Sequence, residues 1–161
     1  MRVDIIAVGK IKESFINEAI NEYKKRLSKF CNLNIIEVDD VVSKVENDSN
    51  IKNSIKQESS KIISKIESLS KNAYIFALDI AGKELSTIDF KNKISEIKLS
   101  GISDIIFIIG GSYGLSDEIK QKSNMRLSFS KMTFPHQLFR VILLEQIYRV
   151  LKIENNEPYH K

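Results

Sequence analysis

Five consecutive residues, Ile105-Ile106-Phe107-Ile108-Ile109, are all large and apolar, and they run straight into Gly110-Gly111-Ser112-Tyr113-Gly114-Leu115-Ser116. Side chains of a strand point alternately to its two faces. A strand with no polar position therefore needs cover on both faces, which is the situation of a parallel sheet flanked by helices. Related runs occur at residues 3–8, closed by Gly9, at residues 34–38 and at residues 74–79, and residues 125–129 form a weaker fifth one. Between them lie amphipathic patterns. Phe15, Ile16, Ala19, Ile20, Tyr23, Leu27 and Phe30 recur at helical spacing, as do Ile55, Ile62, Ile66 and Leu69. The expected fold is α/β: one domain over residues 1–161, with a mostly parallel sheet and helices on both faces.

Local signals punctuate these elements. Ser86 followed by Asp89 reads as a capping box, and Gly101 ends that helix. Ser116-Asp117-Glu118 opens a short helix with a cap and an acidic first turn. Ala81-Gly82-Lys83 is expected to turn out of the third strand, residues 39–50 to form a polar surface loop, and Pro135 to occupy the first position of the last helix. No repeat or low-complexity tract divides the chain.

A single cysteine, Cys31, cannot form an internal disulfide, and no Cys/His spacing suggests a metal. No apolar run approaches the roughly 20 residues of a membrane span and no signal peptide is evident, so a cytoplasmic protein is expected, with no membrane and no metal partner. The net charge of +4 and pI near 9.0 permit a nucleic-acid partner without establishing one.

Two loops stand out chemically. Gly110 and Gly111 leave bare backbone at the end of the most apolar strand, where a flat ligand can come close. The second loop, residues 128–136, leads into the last helix. The glycine pattern is GGxxG rather than GxGxxG, it follows the fourth strand, and the region about 20 residues on reads Ser130-Lys131 instead of supplying an acidic residue for a ribose. That weakens a dinucleotide oxidoreductase; a structural turn in a non-catalytic RNA- or ribosome-binding protein stays open. His136 and, one turn on, Arg140 share the start of the last helix, which is apolar around more than half its circumference. Such a surplus points to a second copy of the chain or to deep burial. The tail Pro158-Tyr159-His160-Lys161 carries groups able to stack on or hydrogen-bond a base.

Together these segments resemble the SPOUT superfamily of knotted methyltransferases, and within it the ribosomal RNA large subunit methyltransferase H family. The carriers are Ile5-Ile6-Ala7-Val8-Gly9-Lys10, Leu78-Asp79-Ile80-Ala81-Gly82-Lys83, the glycine loop, Thr133-Phe134-Pro135-His136-Gln137-Leu138-Phe139-Arg140-Val141, Glu145-Gln146-Ile147-Tyr148-Arg149 and the tail from Asn156. Ala81 and Ser112-Tyr113 depart from the usual family pattern. The resemblance implies a C-terminal trefoil knot, a homodimer, and S-adenosylmethionine as donor for N3 methylation of a pseudouridine in 23S rRNA on the ribosome. It places the cofactor at Leu78, Gly110 and the loop Phe129, Ser130, Lys131, Met132, Thr133 and Phe134. His136, Arg140, Tyr159 and His160 are candidates for the RNA side, with Arg140 on a phosphate or base edge and one histidine assisting proton loss.

Overall fold

The computed structural model describes residues 1–41 and 45–158. Its elements follow the order β1 (Arg2–Val8), α1 (Ser14–Leu27), β2 (Asn32–Val38), α2 (Asp48–Ser68), β3 (Tyr74–Glu84), α3 (Thr87–Leu99), β4 (Asp104–Ile109), α4 (Asp117–Lys122), β5 (Met125–Ser128) and α5 (His136–Glu154). The five strands form one sheet in the order β2-β1-β4-β3-β5, and every pairing is parallel.

Strand periodicity sorts the core. Val3, Ile5 and Ala7 of β1 point to one face with Ile105, Phe107 and Ile109 of β4, where they meet α1, α3 and α5. Ile6, Val8, Ile106 and Ile108 point to the other face, against Ile62 of α2 and Ile119 of α4. The most apolar run is thus the central strand β4, and its neighbour β1 is apolar apart from the buried Asp4. Connections moving toward β2 (β1 to β2, β3 to β4) cross the first face, and those moving toward β5 cross the second. One uniform crossover hand requires this alternation.

The local signals act where expected. Ser86 accepts from Asp89 N–H at 3.1 Å, and Ser116 accepts from Ile119 N–H at 3.3 Å. Gly101 follows α3 with φ +83°, a conformation that favours glycine. Three expectations change. Residues 81–83 do not leave the sheet: β3 continues to Glu84, and its pairing with β5 shifts so that both Leu78 and Lys83 stand opposite Leu127. The intervening bulge needs glycine, because a Cβ on Gly82 would lie 2.7 Å from the backbone of Arg126. Pro135 is the cap of α5 rather than its first residue. Phe15, placed on the apolar stripe of the first helix, lies largely in solvent, while Ile16, Ile20 and Leu27 are buried.

The apolar surplus of α5 is partly consumed within the chain. Leu143, Leu144, Ile147, Val150 and Leu151 are buried in the core shared with α1 and α3. Leu138, in its first turn, stays exposed. Among the described residues, no helix is long and apolar enough to cross a membrane.

Candidate active site

A cavity of about 650 Å³ opens at the carboxyl ends of β4 and β5, beside the middle of β3. That falls in the range of roughly 300–1,000 Å³ typical of small-molecule sites. Three chain segments build it. The middle of β3, where its pairing with β5 shifts, contributes Leu78 and Asp79, the end of β4 leads into the glycine loop, and the segment after β5 forms the facing wall.

The glycine loop is tight because it folds back on itself. Gly114 N–H donates to Gly111 C=O at 3.0 Å, and Gly114 has φ +79°. A Cβ on Gly110 would sit 2.8 Å from the Gly114 carbonyl carbon. Glycine at 110 is therefore demanded by the loop's own backbone, before any ligand is considered. Beneath the loop lies Glu58 of α2, a buried carboxylate whose Oε1 accepts from Val41 N–H at 3.0 Å. Burial raises its pKa, opposed by the Val41 hydrogen bond. Tyr113 reaches across to Glu46, with its hydroxyl 2.9 Å from Oε1.

The facing wall is held by aromatic rings. Phe129 stacks edge-on against Phe139 of α5 with ring centroids 5.1 Å apart, and Phe134 lies 6.0 Å from the same ring. Ser130 stiffens the turn between them by accepting from Met132 N–H at 2.9 Å, while its carbonyl accepts from the Ser128 hydroxyl at 3.1 Å. The wall is thus a braced loop.

Of the residues singled out from sequence, Leu78, Gly110, Phe129, Ser130, Met132, Thr133, Phe134 and His136 all line this one cavity. Lys131 does not, and points to solvent. Tyr159 and His160 lie outside the described residues. His136 sits at the first position of α5, and a Cβ on Gly9 would be 3.3 Å from its Nε2. Burial holds the His136 pKa below its ordinary value of 6.5; the Arg140 and Lys12 charges add to this and Asp40 opposes it.

Arg140 departs from the role assigned to it. Its side chain is completely buried, so it does not reach out to a phosphate. Nη2 donates to the carbonyls of Gly9 at 2.5 Å and Val8 at 3.1 Å, and Nη1 donates to Glu37 Oε1 at 2.7 Å. A guanidinium presents several donors in a fixed fork; here the fork ties α5 to the ends of β1 and β2. Arg140 thereby sets the distance between Gly9 and His136.

Sequence reasoning passed over Asp79, which lies on the cavity wall. Arg126 of β5 donates to its Oδ2 from Nε at 2.9 Å and from Nη2 at 2.6 Å, and Ala81 N–H donates to Oδ1 at 3.2 Å. Lys120 of α4, also on the wall, places Nζ 3.7 Å from Oδ2. Burial alone pushes the Asp79 carboxyl up; the hydrogen bonds from Arg126 and Ala81 and the charges of Lys120 and Arg126 outweigh it, leaving the pKa below the usual carboxylate value. A lone aspartate within a strand carries no local signal of these partners.

Among the described residues no group of three or more His, Cys, Asp or Glu could hold a metal ion. Fold and cavity define an open α/β protein with a cavity between a glycine turn and an aromatic loop, at the carboxyl edge of a parallel sheet, where ligand sites of such folds form. A family model described as predicted SPOUT methyltransferase matches residues 1–160, which makes the protein a methyltransferase of that class. Among its relatives, a ribosomal RNA large subunit methyltransferase H from Clostridium botulinum (strain 657 / Type Ba4) is 51% identical, over 100% of both chains. The protein of that name from Clostridium tetani is 49% identical, and a putative one from Methanococcus vannielii 51%, each again over 100% of both chains. The chain belongs to the ribosomal RNA large subunit methyltransferase H family of the SPOUT methyltransferases. Solved structures share the fold at low identity. A probable methylase family protein from Haemophilus influenzae superposes with TM-score 0.57 at 12% identity, covering 99% of this chain and 70% of that one. A structure described by its role in 2-OH methylation of C/U34 on tRNA gives 0.54 at 12%, covering 97% and 98%.

Proposed function

We propose that the protein transfers a methyl group from S-adenosylmethionine to N3 of a pseudouridine in 23S rRNA, acting in the cytoplasm on the assembled ribosome. The observation that carries this reading is identity of 51% over the full length of a relative named for large-subunit rRNA methylation. The cavity fits the donor's chemistry. Bare backbone at Gly110 and Gly111 suits a flat adenosine, the rings of Phe129 and Phe134 offer apolar surface, and two charged side chains meet at Asp79 and Lys120. Leu78, Gly110 and residues 129–134 would hold the donor, with Lys131 at the outer edge of that loop.

When bound, S-adenosylmethionine supplies a methyl group already activated by its sulfonium, so the protein's own work is placement and proton removal. His136 stands at the cavity with its pKa lowered, hence neutral near pH 7 and able to accept the N3 proton. Arg140 serves as a positioning residue, holding Gly9 and α5 at a set spacing around that imidazole. Tyr159 and His160 are assigned to the RNA side, where an aromatic face and hydrogen-bond donors can hold an extruded base. A homodimer and a threaded C-terminal knot complete the proposal, on the family membership.

The test is transfer of labelled methyl from S-adenosylmethionine to undermethylated ribosomes and, separately, to naked 23S rRNA. Label at N3 of a pseudouridine on ribosomes, with little on naked rRNA, is expected. No transfer to either substrate would overturn the reading in favour of a non-catalytic RNA-binding protein.

A further inference from the structure

Among the described residues, one carboxylate and one ammonium line the cavity, Asp79 and Lys120, and they are neighbours. The rest of the wall is backbone, apolar side chains, hydroxyls and the imidazole of His136. Opposite charges side by side at one place in an otherwise uncharged cavity match a ligand that carries both signs as substituents of one carbon. An α-amino acid is such a group.

The pair is built rather than incidental. Asp79 sits on the bulge that displaces β3 around β5, and a side chain on Gly82 would close that bulge against Arg126. Its carboxylate offers about four lone-pair positions. Two donors from Arg126 and one from Ala81 N–H account for three of them. The remaining one lies on Oδ1. Lys120 stands 3.7 Å from Oδ2, beyond hydrogen-bond reach, so its ammonium retains donors for another acceptor. Arg126 does not line the cavity and acts from behind, fixing the orientation of Asp79.

Resting on the donor assignment above, we propose that Asp79 and Lys120 form the seat for the amino-acid end of S-adenosylmethionine, with Asp79 receiving the α-ammonium and Lys120 the α-carboxylate. Arg126 is the positioning residue of this seat. The adenosine end then falls to the glycine loop and the aromatic wall, which present no formal charge.

The test is isothermal titration of the full chain with three ligands: S-adenosylmethionine, decarboxylated S-adenosylmethionine, and methylthioadenosine, which lacks the amino-acid end. The wild-type protein should bind the complete donor about tenfold more tightly than the decarboxylated one. Lys120→Met should weaken S-adenosylmethionine about tenfold and leave the other two within twofold, and Lys120→Arg should restore the preference. Asp79→Asn should weaken both ammonium-bearing ligands and spare methylthioadenosine; circular dichroism melts establish that each variant is folded. Equal binding of the complete and decarboxylated donors by the wild type would overturn the assignment while leaving the donor reading intact. So would a Lys120→Met variant that weakens all three ligands alike, or one that weakens none of them. Failure of the wild type to bind any of the three would reject the donor reading and this seat with it.

Discussion

Replacing Arg140 by methionine keeps the aliphatic length and removes the fork that joins α5 to β1. Two acceptors then lose a donor in a fully buried place, the carbonyls of Val8 and Gly9. A buried acceptor left unmatched costs about 1–3 kcal/mol. Glu37 adds little, because its side chain is 37% exposed and water replaces the guanidinium there. Part of the loss is recovered, since a desolvated cation leaves the interior and its Nε already lacks a partner among the described residues. The net expectation is a destabilisation of about 2–4 kcal/mol, which for a domain of this size lowers Tm by roughly 5–15 °C. Urea unfolding followed by far-ultraviolet circular dichroism measures it. Arg140→Lys should lie between, because a point-like ammonium cannot span three acceptors. The same substitution removes a positive charge facing His136, so the acid limb of methyl transfer should move to higher pH in Arg140→Met and stay near its original position in Arg140→Lys. A folded Arg140→Met protein of unchanged stability that had only lost ribosome affinity would refute the network argument and return Arg140 to the RNA.

Four further outcomes follow from the geometry. His136 is depressed by burial and by nearby cations, so its base form persists below pH 6.5; kcat should fall only as pH drops through that lowered value, and His136→Asn should flatten this limb of the profile. Gly110→Ala should cost both donor affinity and stability, because its Cβ meets Gly114 backbone at 2.8 Å, whereas Gly111→Ala meets only side chains, at 3.0 Å or more, and should be milder in paired melting and titration experiments. Deleting residues 158–161 should remove most methyl transfer to ribosomes while donor titration stays near wild type; full activity in the truncated protein would take Tyr159 and His160 off the site. If α5 carries a dimer seam, Leu138→Asp at its exposed first turn should shift sedimentation toward monomer, and a wild-type protein that sediments as monomer at all concentrations would end that proposal.

What the sequence determined by itself is whatever depends on near neighbours. The runs at residues 3–8 and 105–109 require two-sided burial, and they are the interior strand β1 and the central strand β4. Ser86 and Ser116 cap helices because a hydroxyl three residues ahead of a free N–H needs no tertiary help. The two loops that read as a ligand site do face each other across one cavity, since both leave carboxyl ends of parallel strands. Tertiary structure decided everything carried by residues far apart in the chain. Arg140 bonds to Glu37 across 103 residues and to Gly9 across 131, and nothing within its own helix distinguishes it from a surface arginine aimed at RNA. Asp79 meets Arg126 and Lys120 only because β5 pairs with β3 and α4 packs beside it. The same pairing keeps Ala81-Gly82-Lys83 in the sheet, where local turn chemistry alone would have let them leave. Caps and periodicity are short-range consequences of backbone geometry, whereas burial of a charge, and hence its role, is set by strand order and by which groups the fold brings within hydrogen-bond distance.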